Sequence, residues 1–298
     1  MDMRTAAGKI HDSEEAHAAR IEGVARFLLA RRGKVRLVLI GGPSSAGKTT
    51  FAKRLQHHLE RDGASTLAIS TDNYFVGDEL NPRDSQGRLD YEHIRAMDLE
   101  LLNDNLVDLI AGRTAMLPKF DFHRHAPMEG RTPARLSSGD SFIIIEGLHS
   151  LNPELTPHVG AECKFLVLAD TVSSPFPSGA EEADQRLVRR IIRDSKYRGR
   201  SAEDTILLWD SVRAGERRWI RPFVGNAEYT FDTTLPYEPG VLKNFVEPEL
   251  RKIGPDSPAA PVARRLLALF EGVAPIDPAL PPPYSILREY IGDSIIQY

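Results

Sequence analysis

The residues best suited to carry out chemistry stand together in one short run. Its members are Gly42, Pro43, Ser44, Ser45, Ala46, Gly47, Lys48 and Thr49. They match G-x-x-x-x-G-K-[ST], a pattern whose backbone N–H groups hold nucleotide phosphates. Lys48 can reach the β- and γ-phosphates, and the Thr49 hydroxyl can ligate Mg²⁺. We therefore predict that this run, together with Thr50, binds the phosphates of a nucleotide.

The segments on both sides of this run have the form that its chemistry needs. Residues 35–40 are an apolar run typical of a strand, and residues 50–60 have a helical pattern that Gly63 closes. A helix that begins at the phosphates adds a partial positive charge there. A chance match in a loop would not have both flanks, so we interpret the run as a phosphate-binding loop, or P-loop.

A carboxylate follows the next predicted strand. Residues 65–70 read as a strand, and Asp72 comes just after it. A strand after a strand–loop–helix unit predicts a parallel βαβ arrangement, in which ligands bind beyond the carboxyl ends of the strands. Asp72 would then share a crevice with the P-loop and could accept a proton from a substrate hydroxyl or hold Mg²⁺. Its position alone is equally compatible with a turn or cap aspartate.

A second acid ends the clearest buried strand of the sequence. Residues 141–147 contain four successive apolar residues and then Glu146. An acid at this place can bind Mg²⁺ directly or through water, although Asp is the more usual residue. Two further strands are predicted, at residues 163–168 and 227–232.

Residues 186–200 are strongly basic, with seven Lys or Arg residues and one acid, Asp194. Three interpretations are open: a solvated basic face, a nucleic-acid site, or a lid over about residues 180–205 whose arginines stabilise transferring phosphates. The net charge of −4 argues against nucleic acid. Beside a P-loop, we favour the lid.

The composition of the 298-residue chain is that of an ordinary globular protein, with 41% hydrophobic and 27% charged residues. No apolar run approaches the roughly 20 residues that span a bilayer, and the charged N-terminus is not a secretory signal. We expect a cytoplasmic protein that binds neither membrane nor nucleic acid. Cys163, the single cysteine, lies in an apolar run and is expected to be a buried structural thiol. His123 and His125 have no third ligand nearby, which argues against a transition metal.

The remaining elements are predicted to position these residues. Residues 13–31 form a packing helix with Ser13 as a candidate N-cap, and residues 98–110 form another helix. Residues 117–122 are an edge strand or a hairpin over the site, because Pro118 does not suit a central strand. A helix over residues 209–220 should end at Pro222.

The C-terminal part is rich in proline. Residues 255–261 and 275–283 read as linkers around one short helix at 262–270. We therefore divide the chain into an N-terminal packing helix (1–33), a P-loop domain (34–240) and a C-terminal extension (241–298).

Four motifs in order resemble the uridine kinase/phosphoribulokinase family of P-loop kinases over about residues 35–235. They are the P-loop, residues 70–75, residues 117–122 with His125, and the arginine-rich run at 189–200. Residues 209–224 and 285–290 are similar to those of a long-form uridine-kinase-like subgroup. Members of that subgroup often carry an N-terminal domain like that of threonyl-tRNA synthetase, which we expect this chain to lack.

The resemblance implies an α/β fold with a mainly parallel five-stranded sheet, a β-hairpin over the substrate and a helical arginine lid. It implies ATP- and Mg²⁺-dependent transfer of phosphate to the 5′-hydroxyl of a uridine- or cytidine-like nucleoside. Asp72 would be the general base, and Lys48 and Arg193 would also be catalytic. Thr49 and Glu146 would bind Mg²⁺. The residues implied to hold the nucleoside are Asp72, Asp90, Phe120, His125, Arg190, Arg198 and Arg200.

Three positions depart from the pattern of the family. Phe120 stands where uridine kinases have a Tyr that reads the base, Leu208 stands at a polar substrate-contacting position, and the adenine contact cannot be placed in residues 231–234. A site without such hydrogen bonds discriminates less. A kinase of another small hydroxyl compound, such as phosphoribulose or pantothenate, therefore remains open, as does a catalytically weak regulatory protein. The sequence also leaves open whether the chain forms a homo-oligomer.

Overall fold

A computed structural model describes residues 3–84, 87–121, 124–176 and 180–296. The strands are β1 (Leu37–Gly41), β2 (Thr66–Ser70), β3 (Ala115–Leu117), β4 (Phe120–Asp121), β5 (Ala126–Pro127), β6 (Thr132–Ala134), β7 (Phe142–Glu146), β8 (Lys164–Asp170) and β9 (Tyr229–Asp232). The α-helices are α1 (Met3–Leu29), α2 (Lys48–Arg61), α3 (Leu99–Ile110), α4 (Asp184–Tyr197), α5 (Ala202–Gly215), α6 (Glu238–Leu250), α7 (Ala260–Leu269) and α8 (Arg288–Ile291).

The main sheet has five parallel strands in the order β2-β7-β1-β8-β9. This confirms the predicted α/β fold. The central strands β1 and β7 are buried on both faces, so their sequences read as apolar runs. In β1, Val38 and Ile40 pack with α1 and α2, whereas Leu37 and Leu39 pack with α3 on the opposite face. The carboxyl ends of the strands therefore form one edge between two layers of helices.

A third hydrophobic core lies at the C-terminal half of the chain. It joins α4 and α5 with α6, α7 and the residues around α8. The sequence predicts one short helix after residue 240, but the structure has α6 and α8 in addition to α7. Pro239 and Gly240 stand in the first turn of α6, where a proline costs no hydrogen bond.

The N-terminal helix begins ten residues earlier than its predicted start. Ser13 is therefore not an N-cap, and its hydroxyl donates to the carbonyl of Lys9 one turn back. The predicted helix at 209–220 is also wrong in its bounds. The α-helix α5 ends at Gly215, residues 216–220 form a π-helical turn, and Pro222 lies inside a 3₁₀-helix at 221–226.

The predicted hairpin is present. Strand β3 pairs with β6 and β4 pairs with β5, both antiparallel. Phe122 and His123 lie outside the described residues. Cys163 is half-buried at the end of a 3₁₀ turn before β8, so the prediction of a buried thiol is wrong. None of the helices in the described ranges is long and apolar enough to cross a membrane.

Candidate active site

The P-loop connects β1 to α2 and wraps the N-terminus of that helix. Gly42 has a φ of 154°, and a Cβ there would lie 2.0 Å from the carbonyl oxygen of Ala169, so only glycine fits. Ser45 adopts a left-handed conformation with φ 58°. Lys48 and Thr49 begin α2, and the Lys48 ammonium donates to the carbonyl of Pro43 over 2.9 Å. The loop thus has the form that holds phosphates at a helix N-terminus.

Residues from distant parts of the chain hold the P-loop in this form. The Ser44 N–H donates to Glu216 over 3.2 Å, and Arg190 donates to the Ser44 hydroxyl over 2.7 Å. Arg186 donates to the Ser44 carbonyl and to both oxygens of Glu216. Ser44, Ser45 and Ala46 are all buried as a result.

Two carboxylates meet beside the P-loop at the carboxyl edge of the sheet. Glu146 ends β7, opposite Ile40 of β1 and Ser70 of β2, and Asp72 follows in a 3₁₀ turn at 71–74. Burial, and then the charge of Asp72, raises the pKa of Glu146 to about 7, while the Lys48 charge opposes this rise. The structure therefore brings these three predicted residues together.

Asp90, which is predicted to bind the acceptor, is held by two hydrogen bonds. Its Oδ2 accepts from the indole N–H of Trp219 over 3.1 Å, and its Oδ1 accepts from the Glu92 N–H. Burial, followed by the charges of Glu216 and Asp90, raises the pKa of Glu92 to about 7. The buried Glu92 Oε2 has no hydrogen-bond partner among the residues that the structure describes. The Trp219 indole thus fixes the orientation of Asp90.

The hairpin places Phe120 beside Asn73 and His125 beside Tyr91. Phe120 is buried, with its ring centroid 5.7 Å from that of Phe75. His125 Nδ1 is 3.3 Å from the Tyr91 hydroxyl, which donates to Asp78 over 2.7 Å. The His125 side chain is 44% exposed, so it can still meet a ligand.

Asp194 gathers three of the predicted arginines at the end of α4. Arg190, Arg193 and Arg198 lie 3.3, 2.9 and 3.7 Å from its carboxylate. Burial alone would raise the pKa of Asp194, but the three arginine charges outweigh it and hold that pKa below its ordinary value. The Arg200 N–H donates to the Asp194 carbonyl, and the charge of Arg200 acts on Tyr91. The four arginines therefore form one group that extends from the P-loop to the acceptor side.

The rest of the basic run is structural. Arg186 and Arg189 are 1% and 0% exposed, so the interpretation as a solvated face is wrong. Arg189 forms a bidentate pair with Glu238 and donates to the carbonyl of Thr233. Because α4 is built into a hydrophobic core, these two arginines anchor it to the P-loop and to α6, and they are not residues of a lid.

The other departures from the family pattern also have places in the structure. Leu208 lies on α5 and is 42% exposed. The end of β9 and the residue after it are engaged internally, since Asp232 accepts from Val172 and Ser173 and Thr233 contacts Arg189.

Sequence reasoning missed several residues that shape the site: Glu92, Glu216, Glu289 and Tyr290. Glu216 stands 172 positions from Ser44, and Tyr290, which donates to the Ser45 carbonyl, stands 245 positions from that residue. Neither belongs to a local pattern. Glu216, Glu289 and Tyr290 lie in the segments that resemble the long-form subgroup, but that resemblance gave them no role, and Glu92 had no signal.

A parallel five-stranded sheet with a P-loop at its carboxyl edge is the arrangement of the P-loop NTPase fold. The family described as "Phosphoribulokinase / Uridine kinase family" matches residues 37–236, about two thirds of the chain. The protein belongs to this family. It is a phosphotransferase that acts on a hydroxyl group, as predicted.

Similar proteins carry names from the same family. A protein named uridine kinase from Macrococcus caseolyticus is 30% identical over 191 residues, which cover 63% of this chain and 84% of that protein. A uridine kinase from Halobacterium salinarum is 27% identical over 190 residues, covering 63% and 76%. The structure of a possible uridine kinase from Bacillus stearothermophilus aligns with 22% identity and a TM-score of 0.46, covering 72% of this chain and 98% of that one.

Proposed function

We propose that the protein transfers the γ-phosphate of ATP, with Mg²⁺, to the 5′-hydroxyl of a nucleoside. The observation that carries this proposal is the meeting of Lys48, Glu146 and Asp72 at one edge of the sheet, between the P-loop and the hairpin. An acid that faces the phosphate site from the acceptor side is suited to receive a hydroxyl proton. The relatives named uridine kinase support a nucleoside acceptor.

The residues beside the P-loop fit Mg²⁺. The Thr49 hydroxyl and the Glu146 carboxylate are hard oxygen ligands, and Mg²⁺ is usually held by one or two protein groups together with substrate phosphates. The raised pKa of Glu146 reflects a carboxylate whose charge is poorly compensated, which a cation would correct. Bound Mg²⁺ would neutralise the charge of the transferring phosphate. No set of three or more His, Cys, Asp or Glu side chains that could hold a metal ion occurs in the described part of the chain.

The remaining residues would position the two substrates. The P-loop amides and Lys48 hold the phosphates, and Asp72 accepts the proton of the attacking hydroxyl. Arg190, Arg193 and Arg198 are grouped by Asp194 and would neutralise the equatorial oxygens. Asp90 would bind the ribose hydroxyls with the carboxylate orientation that Trp219 fixes.

Phe120 and His125 would meet the base. A phenylalanine can stack on a pyrimidine but forms no hydrogen bond with it, so His125 would supply the polar contact from the hairpin. We therefore propose weaker discrimination between bases than a tyrosine at position 120 would give.

Incubation with Mg-ATP and separate acceptors tests the proposal. The panel holds uridine, cytidine, adenosine and guanosine, with pantothenate and ribulose 5-phosphate as acceptors of other classes. We expect ADP and a nucleoside 5′-monophosphate in equal amounts with at least one pyrimidine nucleoside, and no product with Lys48→Ala. Product from pantothenate or ribulose 5-phosphate alone would support the other kinases, and no ADP with any acceptor would contradict a kinase function.

A further inference from the structure

A segment near the C-terminus lies directly against the P-loop. Residues 285–291, which we call the C-terminal segment, contact the loop at three places. The Tyr290 hydroxyl donates to the Ser45 carbonyl over 3.1 Å, and the Thr50 hydroxyl donates to Glu289 Oε2 over 2.7 Å. At Gly47, an added Cβ would lie 2.5 Å from the Ile286 side chain. The segment follows the family match, which ends at residue 236.

The C-terminal segment is a fixed part of the molecule. Its apolar side chains are 0–2% exposed and belong to the core of α4 to α7. The Arg189 guanidinium lies over the Tyr290 ring, with its Cζ 5.3 Å from the ring centroid. Only the Glu289 side chain, which is half-buried, can turn without disturbing this core.

Glu289 holds a hydroxyl that was predicted to bind phosphate. Thr50 is the third residue of α2, in the turn that presents N–H groups to the phosphates. A threonine hydroxyl has one proton to donate. Thr50 is 0% exposed and that proton goes to Glu289, so in this structure the hydroxyl is not presented to a phosphate, and the carboxylate beside it adds a like charge.

Geometry places Glu289 at the N-terminus of α2. Its Oε2 accepts from the Thr50 hydroxyl, and its neighbour Tyr290 donates to the carbonyl of Ser45 in the P-loop. The Glu289 carboxylate therefore lies at the first turn of α2, even though its backbone is part of a separate core.

We propose that Glu289 competes with the phosphates of the donor nucleotide for Thr50, and so sets the affinity of the P-loop for that nucleotide. The inference rests on the proposed function, in which ATP is the donor. When phosphate binds, the Glu289 side chain releases Thr50 and turns away, while α8 stays in place. Tyr290 and Ile286 keep the carboxylate within reach, so the competition is built into the fold.

Substitution Glu289→Gln tests this proposal by isothermal titration of the full chain. Glutamine keeps the size of the side chain but removes the charge, and its neutral amide oxygen accepts from Thr50 more weakly than a carboxylate does, so both parts of the competition decrease. We expect the Kd for Mg-ATP, and for tripolyphosphate, to fall by about 3- to 10-fold, the size expected for one charge near a phosphate in a partly buried site. Glu271→Gln is the matched control, because Glu271 is exposed on the same C-terminal part and makes the same change in charge. It should leave both Kd values unchanged.

The outcomes separate this inference from the proposed function. An unchanged Kd in Glu289→Gln would contradict the competition. A higher Kd, with an unchanged melting temperature, would contradict it too, because Glu289 would then organise the phosphate site. If the wild-type chain bound neither Mg-ATP nor tripolyphosphate, the proposed function itself would fail.

Discussion

At the scale of single residues, Asp72 has the most specific proposed role. It comes just after β2, and its charge raises the pKa of Glu146 because the two carboxylates lie close together. A general base contributes about 10²–10⁴-fold to a rate, so we expect Asp72→Asn to lower kcat by this factor. The Kd for Mg-ATP should change less than about threefold, since the P-loop remains intact. Steady-state kinetics and nucleotide titration measure both quantities.

A matched control for this prediction is Asp104→Asn, which makes the same change at an exposed position of α3. It should keep full activity. If Asp72→Asn did so as well, another group would have to accept the proton.

Much of the site follows from local patterns, and the rest does not. The P-loop, Asp72 and Glu146 are visible in the sequence because each stands at a fixed offset from a strand or a helix. Glu216 and Trp219 escape such reasoning because they reach the site from a π-helical turn and contact residues more than a hundred positions away. Chain separation of this kind leaves no periodic signal.

At the scale of elements, some arginines of α4 stabilise the fold and others are proposed to bind substrate. Arg189 is fully buried against Glu238, and removing one partner of a buried ion pair leaves an uncompensated charge. We expect Arg189→Met to lower the free energy of unfolding by about 3–5 kcal/mol, measured by urea denaturation.

Arg200→Met, at the other end of the same run, is the comparison for Arg189→Met. Arg200 is only half-buried, so the free energy of unfolding should change by less than about 1 kcal/mol, while the proposed phosphotransfer slows. Equal stability of the two variants would show that α4 is not anchored through Arg189.

The docking of α1 depends on a neutral histidine. His17 is 1% exposed, its Nε2 lies 3.2 Å from the Thr234 carbonyl, and its ring packs against Phe231. Burial, followed by the charges of Arg20 and Arg54, lowers the pKa of His17 to about 3. Unfolding restores the ordinary value near 6.5, so the unfolded chain binds an additional proton between pH 6.5 and 3. The free energy of unfolding is therefore unaffected by His17 above pH 6.5, and it decreases as the pH falls from 6.5 toward 3.

His17→Gln should remove that dependence, because glutamine can donate to Thr234 and does not titrate. Between pH 7.5 and 5 the wild-type chain should lose on the order of 2 kcal/mol more stability than the variant, as one proton contributes about 1.4 kcal/mol per pH unit below pH 6.5. Urea denaturation at the two pH values measures the difference. Parallel losses would show that His17 titrates normally in the folded protein.

At the scale of the whole molecule, the chain has a kinase part that its motifs predict and a C-terminal part that they do not. All five strands were predicted, and the signal is clearest in β1 and β7, which are buried along their whole length and therefore read as apolar runs. Helix α6 was not predicted, because Pro239, Gly240 and Pro248 are residue types typical of loops. In the structure they stand in the first and last turns of this helix. Yet α4, which carries proposed site residues, shares one core with α6, α7 and the C-terminal segment. The kinase part therefore depends on the C-terminal part.

Shortening the chain at two positions tests this dependence. A chain ending at residue 283 loses the C-terminal segment, whose Ile286, Leu287, Tyr290 and Ile291 are almost completely buried. At about 1.5–3 kcal/mol for each buried side chain, the loss is about 6–12 kcal/mol, which is comparable to the whole stability of a typical domain. We expect this chain to show no cooperative unfolding transition and no nucleotide binding.

A chain ending at residue 292 is the control, because it keeps the segment and removes only the residues after it, among which Ile295 is 71% exposed. It should unfold and bind nucleotide as the full chain does. A cooperative transition in the 283-residue chain would mean that α4 and the P-loop are held without the C-terminal segment.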